Sequence, residues 1–129
     1  GAEVTISVDM LENSGCMAMS FAIPYDTSRF EFVKYKLGRW NSYCIVNLAD
    51  KGYVAFCNIE SKDRKYVGTI FSLTFKVKEN TPADYYGLDI YNIRPDINSD
   101  NLSKCFVNKN LEILIPEIVP GGILVKEEI

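Results

Sequence analysis

The sequence predicts an all-β domain, an antiparallel sandwich or jelly roll, and three observations support this fold class. Apolar residues alternate with polar ones in about eight short segments, which is the pattern of strands that bury one face. These segments recur every 8 to 12 residues or so, and turn-forming residues separate them. No long segment carries apolar residues at helical spacing.

The first three strands are predicted from period-two patterns. Segments 4–8 and 17–25 alternate apolar and polar or small residues, and the polar residues 12–15 separate them. Turn residues at 25–28 then lead into a short apolar segment that ends at Gly38. Each strand therefore begins and ends at a residue type that favours turns.

A β-hairpin is predicted next. Segments 43–48 and 53–59 flank a four-residue connection that ends in Gly52, which is a good hairpin signal. A register with Leu48 opposite Tyr53 gives two further opposite pairs, Val46 with Ala55 and Cys44 with Cys57. The two thiols are then cross-strand neighbours, and the sequence leaves open whether they form a disulfide or pack as thiols.

The remaining strands are predicted from residue 68 onward. Segment 68–78 alternates most regularly, and a shorter strand is expected around Leu88 to Tyr91. A long irregular connection, 94–110, precedes a last apolar strand at 111–115. We therefore expect one domain over residues 1–115, followed by a tail or linker at 116–129 that could add an edge strand.

Composition excludes several classes of function. The 129 residues carry a net charge of −3, with a pI near 5.0, so no basic surface indicates nucleic acid. The chain contains no His, which excludes Ser-His-Asp and Cys-His catalysis and most catalytic zinc sites. Its carboxylates fall mostly in turns or at outward positions, so a glycosidase is a distant alternative.

One predicted sheet face is unusually apolar for a solvent-exposed surface. Its outward positions carry small or apolar side chains where Lys, Glu and Thr are usual. They are Ala18, Ser20, Ala22, Tyr53, Ala55, Cys57, Ile59, Asp89 and Tyr91. Such a face, rimmed by charge, is typical of a protein interface. The alternative is that a loop or the tail covers it.

Three stretches resemble the cohesin domains of bacterial cellulosomes. Residues 4–26 are similar to the second and third strands of that family, with the Tyr25-Asp26 turn and a Gly near position 38. The hairpin 47–58 resembles its fifth and sixth strands, and 68–78 its seventh. The first edge strand of the family is missing or truncated at Gly1, and the tail after Pro116 is extra.

The resemblance implies a nine-stranded jelly roll that binds a dockerin through the sheet of the third, fifth, sixth and eighth strands. Those strands correspond to 16–23, 43–48, 53–59 and 87–93. Under this hypothesis Tyr53, Ile59 and Tyr91 are anchors, and the small residues Ala18, Ala22 and Ala55 let a helix approach closely. The rim residues Ser20, Asp89 and Leu102 set orientation. Val46 and Cys57 complete the expected binding set.

The resemblance also implies a non-catalytic role in assembling secreted polysaccharide-degrading enzymes on a scaffold or bacterial cell surface. No cofactor is expected in this chain, since the calcium of such complexes belongs to the dockerin. Nucleic acid and membrane insertion are not expected, and polysaccharide is a partner only indirectly. The alternative is a carbohydrate-binding module, for which the single Trp, Trp40, offers a poor stacking platform.

Overall fold

The computed structural model describes residues 1–38, 40, 43–48, 52–90, 106–108, 110, 113–114 and 119–127. Within these residues the regular structure consists of strands, and every strand pair is antiparallel, which confirms the predicted fold class. The strands are β1 (Glu3–Met10), β2 (Cys16–Pro24), β3 (Phe30–Leu37), β4 (Tyr43–Leu48), β5 (Tyr53–Arg64), β6 (Gly68–Val77), β7 (Asp84–Leu88), β8 (Phe106–Val107), β9 (Ile113–Leu114) and β10 (Gly121–Val125).

The strands form two main sheets that face each other. One has the order β1-β6-β3, and the other has the order β4-β5-β2-β8-β9. Aromatic rings join them across the core: the Phe71 ring centroid lies 4.8 Å from that of Phe56 and 5.9 Å from that of Phe21. A further antiparallel pair consists of β10 and β7. The main sheets are therefore the two layers of a sandwich.

The core follows directly from the period-two pattern. On β2 the residues Met19, Phe21 and Ile23 are buried, and on β6 Phe71 and Phe75 are buried opposite them. Burial of each such side chain contributes about 1.5 to 3 kcal/mol, so these two strands supply much of the stability. The alternation read from the sequence is the alternation that fills the core.

The predicted β4–β5 hairpin and its register are confirmed. Leu48 lies opposite Tyr53, Val46 opposite Ala55, and Cys44 opposite Cys57. Gly52, at the end of the connection, has a φ of 83°, which glycine adopts without strain. The backbone N–H of Tyr25 donates a hydrogen bond to the carbonyl of Gly52 at 3.0 Å, which ties this turn to the end of β2.

Two strand predictions were wrong in position. The strand expected at Leu88 to Tyr91 instead covers Asp84–Leu88, since Leu88 is buried and Tyr86 packs against the core. The region 94–110, expected to be irregular, contains β8, which pairs with β2 and buries Phe106. Strand β5 also extends beyond Ile59 to Arg64, and its register with β2 shifts over this extension. Tertiary packing overrode the local turn signals in each case.

The C-terminal residues pack onto the domain through β10. Ile123 is buried in the main core, and the end of β10 lines a cleft of about 840 Å³ with the start of β1. The domain boundary expected at residue 115 stays a prediction. In the described part of the chain, no helix is long and apolar enough to cross a membrane.

Candidate protein-docking face

The outer face of the sheet, opposite the core, is formed by β2 and β5. It carries Ala18, Ser20 and Ala22 from β2, and Tyr53, Ala55, Cys57 and Ile59 from β5. The register places Ala22 opposite Ala55, Ser20 opposite Cys57 and Ala18 opposite Ile59. Neighbouring residues such as Phe21 and Phe56 point into the core, so the seven residues share one side of the sheet.

One end of the outer face is buried, contrary to the sequence-based expectation. Ala22, Tyr53 and Ala55 form a separate buried cluster, with exposed fractions of 0%, 2% and 6%. The expectation that these three residues are solvent-exposed is therefore wrong. The alanine side chains are small, so the neighbouring tyrosine ring readily covers them. Period-two alternation predicts which face of the sheet a residue lies on, but it does not predict whether that face is covered. We call this cluster the closed end.

The other end of the outer face is open. Ile59 is 70% exposed, and its neighbours Ala18, Ser20 and Cys57 are half-buried. These four residues, the open end, form a small apolar surface in which one β-branched side chain projects to solvent. Ile59 is also the last residue of the regular β2–β5 register, which shifts between Ala18 and Cys16. Such irregularities re-aim side chains at the edge of a functional surface.

A buried polar network supports β5 just beyond Ile59. The Glu60 carboxylate is buried and accepts hydrogen bonds from Arg64 Nε at 3.1 Å and from Asn58 Nδ2 at 3.2 Å. The Asn13 side chain donates to the backbone carbonyls of Arg64 and Tyr66, both at 2.9 Å. These bonds hold the strand extended where its register with β2 is irregular.

The sequence did not indicate this network. Residues 61–64 are a polar run typical of a loop, and Glu60 was expected among the outward, solvated carboxylates. Instead Glu60 lies on the core side of β5, beside Arg64, whose guanidinium carbon lies 5.7 Å from the Tyr66 ring centroid. The expectation for Glu60 was therefore wrong. The sequence did contain one signal for the ion pair, because Glu60 stands four positions before Arg64. That spacing usually indicates a salt bridge on a helix, and no helix is predicted here.

The remaining predicted binding residues are described only in part. Asp89 is half-buried and lies just after β7 rather than on a strand, where its carboxylate accepts the backbone N–H of Ile90 at 2.7 Å. Tyr91 and Leu102 lie outside the described residues. For Val46 the structure describes only the backbone register, opposite Ala55.

Trp40 does not form an exposed stacking platform. It is 1% exposed and belongs to the main core, where its ring meets the Tyr66 ring edge-on at 5.4 Å between centroids. The sequence analysis predicted a Trp in a loop, and Trp40 does lie outside the strands, but the expectation that it is exposed was wrong. The one observation that could have favoured sugar stacking is therefore removed.

Metal-ligating side chains do not cluster in the described part of the chain. Among those residues no group of three or more His, Cys, Asp or Glu is placed to hold an ion. The outer face can therefore make apolar contacts at its open end. Charged residues such as Lys62 lie nearby on the same strand.

Comparison with known proteins agrees with this architecture. The family model for the cohesin domain matches residues 1–104. A search of curated proteins found no match to the sequence. Among solved structures, the chain is similar to a type I cohesin–dockerin complex from Clostridium thermocellum, with 14% identity and a TM-score of 0.75, over 98% of this chain and 90% of that one.

Two further structures are similar at the same level. One is the sixth cohesin of scaffoldin B from Acetivibrio cellulolyticus in complex with a dockerin, with 15% identity and a TM-score of 0.75, over 98% of this chain and 90% of that one. The other is the seventh type I cohesin of a Pseudobacteroides cellulosolvens scaffoldin, with 19% identity and a TM-score of 0.73, over 100% and 86%.

The domain is an antiparallel sandwich with a small apolar surface at one end of its outer sheet face, which is a feature of protein-binding domains. Because the family model covers most of its length, this chain belongs to the cohesin domain family.

Proposed function

We propose that this chain binds a dockerin module through the outer face of β2 and β5, with Ile59 as the central anchor. The supporting observation is the open end, where an exposed isoleucine projects from a rigid strand among small neighbours in a member of the cohesin family. Solved structures of similar fold are cohesins in complex with dockerins. Through such docking the chain would attach polysaccharide-degrading enzymes to an extracellular scaffold or cell surface.

A preformed sheet suits this role energetically. The backbone of β2 and β5 is held by antiparallel pairing and by the Glu60 network, so the chain loses little conformational freedom on binding. A standard interface buries about 1,600 Å² in total, with most of the free energy concentrated in a few apolar anchors. Ile59 meets the description of such an anchor.

The closed end changes which residues test the proposal. A bulky charge at Ala55 would overpack the buried cluster with Ala22 and Tyr53 and would destabilise the fold by about 1 to 3 kcal/mol. Loss of binding in that variant would not separate docking from folding. Ile59 is the better probe, because substitution of an exposed residue changes stability by only about 0.5 kcal/mol.

The experiment is isothermal calorimetry of the purified chain against a panel of type I dockerins in calcium. We expect Ile59→Arg to weaken binding at least about 30-fold, because it removes an apolar anchor and places a charge in the contact. Val33→Arg is the matched control, since Val33 is 41% exposed on β3 in the opposite sheet.

Chelation of calcium should abolish binding without altering the unfolding temperature of this chain, because the ion belongs to the dockerin. The proposal fails if no dockerin binds in calcium. It also fails if Val33→Arg weakens binding as much as Ile59→Arg does.

A further inference from the structure

The backbone pairing brings two cysteines together on the docking sheet. Cys44 on the edge strand β4 lies directly opposite Cys57 on β5. Residues directly opposite each other in an antiparallel pair lie on the same side of the sheet, and Cys57 belongs to the open end of the outer face. Cys57 is a half-buried thiol in this structure.

The hydrogen-bond alternation fixes which kind of pair this is. The N–H of Tyr25 donates to the carbonyl of Gly52, so these two residues form a hydrogen-bonded pair. The next pair, Pro24 with Tyr53, has no proline N–H to donate and is the alternate, non-hydrogen-bonded type. The register is unbroken from this pair to Ser20 opposite Cys57, and the two pair types alternate along it. Ser20 and Cys57 are therefore also a non-hydrogen-bonded pair.

The N–H and carbonyl of Cys57 therefore face β4, and Cys44 and Cys57 form a hydrogen-bonded pair. In such pairs the Cα atoms lie about 5.5 Å apart. Disulfides span Cα distances of about 4.4 to 6.8 Å, most often about 5.5 to 6 Å. The Cα spacing of the pair therefore lies in the disulfide range. The Cβ atoms of opposite residues are about 4.5 to 5.5 Å apart, so a small local approach of β4 to β5 would bring them to the roughly 3.5 to 4.5 Å of a disulfide.

We infer that Cys44 and Cys57 are a site of disulfide formation that joins edge strand β4 to β5. A small-molecule disulfide such as oxidised glutathione is the oxidant. One cysteine thiolate attacks it and releases one glutathione thiol, and the second thiolate then displaces the other. The product is one Cys44–Cys57 bond and two glutathione thiols, because the two departing glutathione thiolates take up the two protons that the cysteines lose.

The bond would stabilise the domain by fixing β4 to β5. Closing a loop of this length restricts the unfolded chain, and β4 is the terminal strand of its sheet. Cys16 is 2% exposed in the core and is expected to remain a thiol under the same conditions, so it serves as an internal control. The formation of the bond does not depend on dockerin binding.

The test is peptide mapping of the intact chain after equilibration with oxidised glutathione and alkylation of the remaining thiols. We expect a peptide pair linked through Cys44 and Cys57, lighter by two hydrogen atoms than its reduced form. Reduction should lower the unfolding temperature by about 5 to 10 °C. The link should be lost in Cys57→Ser. It should be kept in Cys105→Ser, which removes the fourth cysteine of the sequence.

Three results would overturn the inference. The first is recovery of Cys44 and Cys57 both alkylated or as separate glutathione adducts. The second is a link from Cys57 to Cys16 or Cys105. The third is an unfolding temperature that reduction leaves unchanged. All three can be measured on the wild-type chain, so the outcome does not require any variant to fold.

Discussion

At the scale of single residues, Asp26 shows how one side chain organises a turn. Its carboxylate accepts hydrogen bonds from the backbone N–H and the hydroxyl of Ser28, and its carbonyl accepts the backbone N–H groups of Arg29 and Phe30. The Ser28 hydroxyl is the main cause that lowers the pKa of Asp26 below its ordinary value of 3.8. The Ser28 N–H and the charges of Arg29 and Lys78 add to that effect.

The lowered pKa of Asp26 predicts a pH dependence of stability. A carboxylate whose pKa is lower in the folded than in the unfolded state contributes stability above the unfolded value of 3.8, and that contribution is lost as pH falls through the folded pKa. We expect Asp26→Asn to have a lower unfolding temperature than wild type at neutral pH and the same one in strong acid. Thermal unfolding across this range measures the difference.

Glu31→Gln is the control for loss of one exposed negative charge, because Glu31 lies on β3 and is exposed. A gap between wild type and Asp26→Asn that persists undiminished in strong acid would contradict the assignment.

The same scale shows what sequence could and could not predict about the candidate site. Alternation placed Ala22, Ala55 and Ile59 on the outer face correctly, because side chains on a strand alternate by geometry. It could not distinguish the exposed Ile59 from the buried Tyr53 on the same strand. Exposure depends on what packs over a face, and that is decided by contacts distant in sequence.

At the scale of elements, Gly38 shows why the end of β3 requires a glycine. Its N–H donates to the carbonyl of Ile70 at 2.8 Å, just after β3 ends. A Cβ at this position would lie 2.7 Å from the Ile70 oxygen and closer still to that of Thr69. Only glycine allows the end of β3 to approach the start of β6 so closely.

Gly38→Ala is therefore expected to destabilise the domain by about 3 kcal/mol, because the clash involves backbone atoms that cannot rotate away. Gly121→Ala is the matched control: it lies on β10, and an added Cβ there meets no atom within 4 Å. Urea unfolding compares the two. Equal stabilities for the two variants would show that the approach of β3 to β6 can relax.

Strand positions were predictable where the local pattern and the tertiary contacts agree. The hairpin of β4 and β5 was predicted in full register, since its turn and its alternation point to the same pairing. The position of β7 was missed because Gly87 reads locally as a turn residue, whereas the strand is held by pairing with β10, more than thirty residues away. The two-residue β8 is too short to leave a pattern.

At the scale of the whole molecule, the two sheets have different structural roles. The β1-β6-β3 sheet supplies much of the core through Phe71, Leu73 and Phe75. The sheet that contains β2 and β5 completes that core with one face and presents the open end with the other. Sequence identity of 14 to 19% to similar solved structures is enough to preserve this arrangement, because it depends on alternation more than on particular residues.

Docking through the outer face of β2 and β5 is tested by an NMR titration of the isotope-labelled chain with a binding dockerin in calcium. We predict that the largest changes in chemical shift fall on Ala18, Ser20, Cys57 and Ile59, with the amides of β1, β3 and β6 little changed. Changes concentrated on β1, β3 or β6, with Ile59 unaffected, would contradict docking through the outer face.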